Sequence, residues 1–194
     1  MQMEVAERGL LVLDGTVHGR AGHAAREEGI NAIYLAMQDI QAIAHMDFEK
    51  TSELLGKTTV KVTVIETENK AHNVVPATCR FVVDVRVNEQ YGFDEVLDRL
   101  KANLKAELVP RSFRLRSSLI AMDHPIVKAG KQLGLSHYGS PTTSDKALMT
   151  FPALKIGPGD SARSHTADEY IYISEIENGI SGYIQLLEAT ISVY

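Results

Sequence analysis

The sequence predicts a mixed chain of the α/β (α+β) class, in which a β-α-β-β-α-β unit is followed by the tail of a larger α/β domain. Three observations support this prediction. Alternating apolar and polar residues mark strands, apolar residues at helical spacing mark two helices, and both patterns stop near Leu119. This order of elements favours two helices packed over one antiparallel sheet.

The first half of the unit comes from three runs of residues. The run LLVLDGTVHG, from Leu10, alternates as a strand with one buried face does. The run NAIYLAMQDIQAIAHM has helical spacing, and KTTVKVTVIET predicts the second strand. The predicted apolar face of the helix consists of Ile33, Met37, Ile40 and Ala44.

The second half repeats this order. ATCRFVVDVRV predicts the third strand, and its cysteine, Cys79, is expected to be a buried small apolar residue. GFDEVLDRLKANLKAEL predicts a helix with acidic residues in its first turn, where the helix dipole favours them. SFRLRSSLI is expected to be the fourth strand. The predicted apolar face of the second helix consists of Phe93, Val96, Leu97, Leu100 and Leu104.

Residues 120–194 differ in pattern from the unit before them, with two short elements and a polar stretch. They predict a short helix in HPIVKAGKQLG, a polar stretch in GSPTTSDKALM, a short strand in ALKIGPG and a closing helix from about Ser174. These elements are too few to close a sheet of their own. We therefore expect residues 10–119 to be one domain, inserted between residues 1–9 and 120–194 of a second domain whose beginning is absent.

Composition narrows the function classes. The 194 residues are 44% hydrophobic, enough for a sizeable core. A net charge of -5 without a Lys/Arg cluster argues against nucleic-acid binding. No apolar run approaches the roughly 20 residues that span a bilayer, so we expect a cytoplasmic protein without a membrane partner. With a single cysteine, a metal site would need histidine and carboxylate ligands.

His165 is the first candidate for chemistry. It lies in GPGDSARSHTADEYI, a polar turn that follows a predicted strand, where the ligands of open α/β sheets bind. Thr166, Asp168 or Glu169 are candidates to orient its second ring nitrogen, as the partners of metal-bound histidines do. The alternative is a surface histidine in a polar loop.

His23 is the second candidate. It follows Gly22 in HGRAGHAA, and we expect that glycine to permit an unusual backbone angle that holds the imidazole away from the sheet. A neutral imidazole at this position can donate a hydrogen bond. The alternative is an exposed loop histidine.

Asn73 and Arg86 are further candidates. Asn73, in HNVVP, either caps a turn or donates an amide hydrogen bond to a ligand. Arg86, in the apolar strand FVVDVRVN, either pairs with Asp84 or holds a substrate carboxylate through its bidentate guanidinium.

The motifs HGRAGHAA, HNVVP, DVRVNE, SPTTSD and GPGDSARSHTADEYI, in this order, resemble those of the co-catalytic zinc peptidase and deacylase family. That family includes acetylornithine deacetylase, succinyl-diaminopimelate desuccinylase, aminoacylase and glutamate carboxypeptidase. The resemblance covers the whole chain, and the wording is closest to acetylornithine deacetylase-type members. It implies a ferredoxin-like lid inserted in a zinc-peptidase domain, of which this chain is the C-terminal portion.

The resemblance also implies roles for individual residues. His23 reaches the active site of a second subunit and donates to the developing oxyanion, and Asn73 helps to bind substrate there. Arg86 holds the substrate carboxylate, with Thr143 and Ser144 also at the substrate. His165 is a metal ligand. The implied assembly is a homodimer formed through the lid, and the implied substrate is a small N-acylated amino acid.

The sequence departs from the family pattern where the remaining metal ligands and the general base are expected. The family places these before the lid. Glu27 with Glu28, and His45 with Asp47, follow HGRAGHAA instead, and we interpret both pairs as solvated helix ends. Only His165 is assignable as a metal ligand. We therefore expect zinc or cobalt in the complete enzyme, no stably bound metal in this chain, and no activity from this chain alone.

Two functions remain open from the sequence. The first is a fragment of an amidohydrolase of amino-acid biosynthesis, which removes an acetyl or succinyl group from a substrate such as N-acetylornithine. The second is a stand-alone ferredoxin-like module that dimerises or binds a small ligand without catalysis. The tail from Ser140 to Ile173 favours the first, because a binding module has no need of its polar motifs.

Overall fold

A computed structural model describes residues 1–26 and 28–192. Glu27, which the sequence predicts to lie at a helix end, falls outside the described residues. The α-helices are α1 (Ala32–Ala44), α2 (Phe93–Asn103), α3 (Pro125–Gln132) and α4 (Ile173–Ile191). The strands are β1 (Met3–Glu7), β2 (Gly9–His18), β3 (Gly22–His23), β4 (Thr51–Ser52), β5 (Gly56–Lys57), β6 (Thr59–Thr67), β7 (Val74–Val75), β8 (Thr78–Val87), β9 (Glu107–Pro110), β10 (Ser118–Leu119), β11 (His137–Ser140) and β12 (Lys155–Ile156).

The predicted β-α-β-β-α-β unit is confirmed. Strands β6, β8, β2 and β9 form, in that order, a four-stranded sheet in which all neighbours are antiparallel. Alternate strand residues point to a core that α1 and α2 cover. Buried residues of this core include Leu11, Phe81, Val83, Ile43 and Leu100, and Cys79 is buried with them as expected.

The fourth strand lies earlier in the chain than SFRLRSSLI. Helix α2 ends at Asn103, Leu104 is extended, and β9 begins at Glu107. The cause is a buried carboxylate on α1: Asp39 accepts hydrogen bonds from the amides of Lys105 and Ala106, the latter at 2.7 Å. This contact fixes the segment that enters β9. Of the predicted run, Ser118–Leu119 forms a strand, and it belongs to another sheet.

Helix α1 buries a different face from the predicted one. Its buried residues are Ala32, Ala36, Asp39 and Ile43, whereas Met37 is 55% exposed. The helix is apolar around most of its circumference, so its periodicity leaves the buried face ambiguous. In α2, charged residues alternate with apolar ones, and the predicted apolar face is the buried one.

A second sheet is organised around β1. This strand pairs with β11 in parallel and with β10 and β12 antiparallel, so residues near the N-terminus join strands from the C-terminal third. Helices α3 and α4 contact each other beside this sheet. The core here contains Met3, Val5, Ile120 and Val127. None of the helices in the described parts of the chain is both long and apolar enough to cross a bilayer.

Candidate functional site

His23 and Asn73 lie side by side on an exposed two-stranded ribbon. Strand β3 pairs with β7, with His23 opposite Val74, and the amide of Ala24 donates to the carbonyl of Asn73 at 3.0 Å. Gly22 does not have a positive φ, which corrects the expectation of an unusual angle. A side chain there would instead collide with the Glu28 carbonyl, so the glycine permits a close approach of two backbone segments.

The hydrogen bonding of His23 defines which ring nitrogen can donate. The Nδ1 atom accepts a hydrogen bond from the Ala25 amide at 3.1 Å. In a neutral imidazole one nitrogen accepts and the other carries the proton. The neutral ring therefore presents an Nε2–H donor from an exposed position on the ribbon.

His165 lies in a cleft of about 1150 Å³ that also includes Glu4, Thr143, Lys155 and Tyr170 in its walls. Its φ of 60° is in the left-handed region, which is uncommon for residues other than glycine. Strained backbone of this kind concentrates at functional sites.

The turn around His165 is held by its own polar residues. The His165 amide donates to the Glu169 carboxylate at 2.9 Å, and Asp168 has a φ of 58°. Glu169 thus binds the His165 backbone, whereas the sequence predicted it as a partner for the ring. The Thr166 hydroxyl donates to the Arg163 carbonyl at 2.7 Å, so it too fixes the turn.

Thr143 and Ser144 are anchored to the end of β1. The Thr143 hydroxyl donates to the carbonyl of Arg8 at 2.8 Å. The Ser144 hydroxyl donates to a carboxylate oxygen of Glu7 at 2.6 Å, and its Oγ also accepts from the Lys146 amide. Of the two residues, Thr143 reaches the His165 cleft.

Arg86 pairs with Asp84, which is one of the two alternatives that the sequence left open. Its Nε and Nη2 atoms donate to the two carboxylate oxygens of Asp84, at 2.8 and 3.0 Å. The guanidinium fork is therefore engaged within its own strand. A substrate carboxylate at this position would have to compete with Asp84 or use the remaining N–H groups.

A buried charge cluster lies beside the cleft, and no sequence pattern indicated it. Glu4 and Glu7 lie on β1 and are both buried, although carboxylates are rarely buried without a partner. Lys155 on β12 contacts both, at 3.0 Å from Glu4 and 3.1 Å from Glu7. The Tyr138 hydroxyl donates to Glu4 at 3.2 Å. The cross-strand register of β1 and β12, which the sequence does not show, brings these charges together.

The two carboxylates of this cluster titrate in opposite directions. Burial alone raises the pKa of the Glu7 carboxyl, but hydrogen bonds with Glu4 and Ser144 oppose it. The ammonium groups of Lys155 and Lys146 act in the same direction, and the pKa of Glu7 falls to about 2. Burial and the hydrogen bond to Glu7 raise the pKa of Glu4. Glu4 is thus the member of the pair that retains a proton more readily.

The described residues do not form a metal site by themselves. Within residues 1–26 and 28–192, no three His, Cys, Asp or Glu side chains are grouped so that they could hold a metal ion. A catalytic zinc site takes about three protein ligands. His165 would need ligands from outside the described residues.

The fold and the exposed histidine ribbon define a class of protein: a ferredoxin-like lid joined to a sheet of an α/β domain. Residues 5–112 match the family model of the M20 peptidase dimerisation domain. The chain belongs to this family.

Relatives of known sequence agree with this assignment. The chain is 27% identical to an acetylornithine deacetylase from Myxococcus xanthus over 192 residues, which cover 88% of this chain and 50% of that protein. It is 30% identical to a succinyl-diaminopimelate desuccinylase from Cereibacter sphaeroides over 206 residues, 96% of this chain and 53% of the relative. The chain thus spans about half the length of these relatives.

Solved structures share the fold. The aminopeptidase PepT from Bacillus cereus superimposes with a TM-score of 0.73 at 17% identity, covering 98% of this chain and 54% of the aminopeptidase. An M20 family metallo-carboxypeptidase from Sulfolobus solfataricus gives a TM-score of 0.67 at 15% identity, with 97% and 60% covered.

Proposed function

We propose that this chain supplies the dimerisation lid and part of the catalytic domain of a metal-dependent hydrolase that acts on amide bonds. In this proposal residues 10–119 are the lid, and residues 1–9 and 120–194 belong to the catalytic domain. The complete enzyme uses zinc or cobalt and removes an acetyl or succinyl group from an amino acid such as N-acetylornithine, in the cytoplasm, in amino-acid (arginine) biosynthesis. Family membership and the deacylase relatives support the reaction class.

The observation that carries the proposal is the orientation of His23. Its Nδ1 accepts from Ala25, so the neutral ring presents Nε2–H at the exposed end of a ribbon, with Asn73 beside it. A fixed donor of this kind is suited to an oxyanion that forms during attack on an acyl carbonyl. Because the ribbon and the His165 cleft involve different elements, we propose that His23 and Asn73 complete the cleft of a second subunit.

The remaining residues have positioning roles in this proposal. Thr143 and His165 face the cleft, where His165 contributes one metal ligand. Ser144 is committed to Glu7 and Arg86 to Asp84. The proposed role of Ser144 is therefore to help hold β1 in position. Arg86 binds a substrate carboxylate only through the N–H groups that Asp84 leaves free.

The second subunit is proposed to bind along β6 and α1. Strand β6 is an edge strand of nine residues, and edge strands offer unpaired backbone groups to another chain. Next to it, α1 exposes Tyr34 and Met37, with 67% and 55% of their surfaces accessible. Ile65 lies opposite Phe81, on the side of the sheet that carries α1. An apolar patch beside a free edge is typical of a dimer interface.

Reconstitution tests the proposed reaction. Residues 1–194 are co-expressed with the half of the Myxococcus xanthus acetylornithine deacetylase that this chain does not match, and acetate release from N-acetylornithine is measured with zinc or cobalt. We expect activity that depends on the added metal. His23→Ala should lower kcat about 100-fold with little change in KM, because the lost donor acts on the transition state.

His18→Ala is the matched control for this experiment. His18 is also exposed and lies five residues away at the end of β2, so its removal should leave kcat within about threefold. Equal kcat values for His23→Ala and the unsubstituted protein would contradict the role of His23. A reconstituted protein with neither metal uptake nor hydrolysis would favour the binding module.

A further inference from the structure

Arg8 is the single residue that separates β1 from β2, and it joins the two sheets of the chain. Strand β1 ends at Glu7 in the sheet beside the His165 cleft, and β2 begins at Gly9 in the four-stranded sheet of the proposed lid. The chain returns from the lid next to this junction, because Ser118 pairs with Glu7. Arg8 therefore lies where the lid both begins and ends.

The side chain of Arg8 binds a hairpin of the lid. Its Nε and Nη2 atoms both donate to the carbonyl of Leu55, and the Nε distance is 2.9 Å. Leu55 is buried between β4 and β5, which pair as a hairpin, here called the lid hairpin (residues 51–57). Hydrogen bonds from a charged donor are stronger than neutral ones, so the guanidinium is a firm attachment for the lid hairpin.

The lid hairpin also contacts the sheet that contains β1. Leu54 packs against the apolar core of that sheet. A side chain at Gly139 on β11 would collide with the Leu54 carbonyl, so the two backbones approach each other directly. The Asn88 side chain ties the lid hairpin to the lid, because it donates to the Gly56 carbonyl at 2.7 Å. The lid hairpin is thus held by both sheets.

The backbone of Arg8 binds the segment that carries Thr143. Its amide donates to the Ser140 carbonyl at 3.2 Å, and its carbonyl accepts from the Thr143 hydroxyl at 2.8 Å. Thr143 lines the His165 cleft. One residue therefore holds the lid through its side chain and the wall of the cleft through its backbone.

The Arg8 guanidinium also lies near Arg86. Burial lowers the pKa of Arg8, and the nearby Arg86 cation lowers it further. The two residues come close because Leu10, two positions after Arg8, pairs with Arg86 across β2 and β8. Like charges repel at short range. The bonds to the Leu55 carbonyl oppose this repulsion and keep the two side chains close.

We propose that Arg8 is a positioning residue that sets the distance between Thr143 in the cleft and Arg86 on the lid. The inference rests on the proposed function for the roles of Thr143 and Arg86 at the substrate. A small substrate that contacts both residues binds best at one separation. Without the Arg8 side chain the lid hairpin is released, and substrate binding then has to restore that separation at a cost in affinity.

Amide hydrogen exchange of residues 1–194, followed by NMR, tests this coupling without a catalytic assay. Arg8→Gln should speed exchange about tenfold both in the lid hairpin and in residues 140–144, because one side chain holds the two segments in place. Arg8→Lys keeps one charged donor, so it should give a smaller increase in both segments. It carries the test if Arg8→Gln does not fold.

Arg99→Gln is the matched control, because Arg99 also donates to a backbone carbonyl of the lid, that of Asp47, at 2.8 Å. Its ring contact, with Phe48, lies in the lid as well. This variant should leave exchange in residues 140–144 unchanged. The inference is overturned if the Arg8 variants speed exchange in only one of the two segments or in neither, or if Arg99→Gln speeds exchange in residues 140–144 equally.

The reconstituted enzyme supplies a second measurement. Arg8→Gln should raise KM for N-acetylornithine about tenfold with little change in kcat, because the lost preorganisation weakens substrate binding before the reaction begins. An unchanged KM would contradict the positioning role. Absence of hydrolysis by the unsubstituted protein would contradict the proposed function, whereas the exchange measurement would still decide whether Arg8 couples the two segments.

Discussion

Glu7 is a single buried residue that stabilises the segments around the His165 cleft. Its carboxylate is buried and contacts Lys155 and Ser144, so it ties β12 and the Ser144 turn to β1. Its charged form is held by these partners, which is why its pKa is lowered to about 2. Removal of one partner from such a buried ion pair is strongly destabilising, because it leaves an uncompensated buried charge.

The stability of the chain should fall in acid through Glu7. The folded-state pKa is below the unfolded value of 4.5, so the unfolded chain binds the proton more readily. The stabilisation is fully present above pH 4.5 and is lost as the pH falls toward 2, by at most about 3 kcal/mol. Glu7→Gln should be less stable than the unsubstituted chain at pH 7, and this difference should shrink at pH 3.

Urea unfolding followed by far-ultraviolet circular dichroism at both pH values measures this effect. Glu107→Gln is the control, because Glu107 is exposed on β9 and its loss should change neither value. A deficit for Glu7→Gln that is the same at pH 7 and pH 3 would contradict the assignment of the low pKa to Glu7.

Among the elements, α1 combines a structural role with a proposed binding role. Its buried face carries Asp39, which holds the start of β9, and its exposed face carries Tyr34 and Met37 next to the β6 edge. The two roles occupy different sides of the helix. Substitutions on the buried side should therefore change the stability of the fold, and substitutions on the exposed side should change self-association.

Asp39→Ala should lower the free energy of unfolding by about 1 to 3 kcal/mol, because the amides of Lys105 and Ala106 lose their acceptor. Asp39→Asn, which keeps an oxygen acceptor, should lose less. Chemical denaturation of the three proteins gives the comparison. Equal stability of Asp39→Ala and the unsubstituted chain would show that other contacts position β9.

Met37→Lys and Ile65→Lys should each convert the proposed dimer to a monomer, because a charge would be buried at the proposed α1 and β6 interface. Sedimentation equilibrium measures the association. Val109→Lys is the control, since Val109 is exposed on β9 at the opposite edge of the sheet. A dimer that persists in the first two variants and dissociates in the third would place the interface at β9.

The buried face of a helix was predictable where apolar and charged residues lie on clearly different sides of it. In α2, charged and apolar residues alternate at helical spacing, and this pattern predicted its buried face correctly. In α1, apolar residues surround most of the helix, and its exposed Met37 was assigned to the core. The position of β9 depends on Asp39, which lies 66 residues before the amide of Lys105 that it accepts from, so no local pattern reveals it.

In the candidate site too, local features could be predicted and contacts between distant segments could not. The placement of His23 opposite Val74, next to Asn73, and the cluster of Glu4, Glu7 and Lys155 both depend on strand register, which a single sequence does not show. The candidate residues of the family motifs could be named from the sequence because the motifs are local, and their roles stay predictions. The partners that orient those residues became visible only in the fold.

At the scale of the whole molecule, the chain contains two groups of candidate site residues on different elements. The ribbon carries His23 and Asn73, and the cleft carries Thr143 and His165. In the proposed enzyme each active site combines the cleft of one subunit with the ribbon of the other. Dimerisation would then be a condition for catalysis.

Mixed dimers show whether His23 serves the active site of the neighbouring subunit. In the reconstituted enzyme, His23→Ala and His165→Ala subunits should each be nearly inactive as homodimers. Random mixing makes half of the dimers mixed, and one of the two sites in each mixed dimer has both histidines. Mixing should therefore restore about a quarter of the unsubstituted activity. No recovery after verified subunit exchange would show that His23 serves the cleft of its own subunit and would contradict the account.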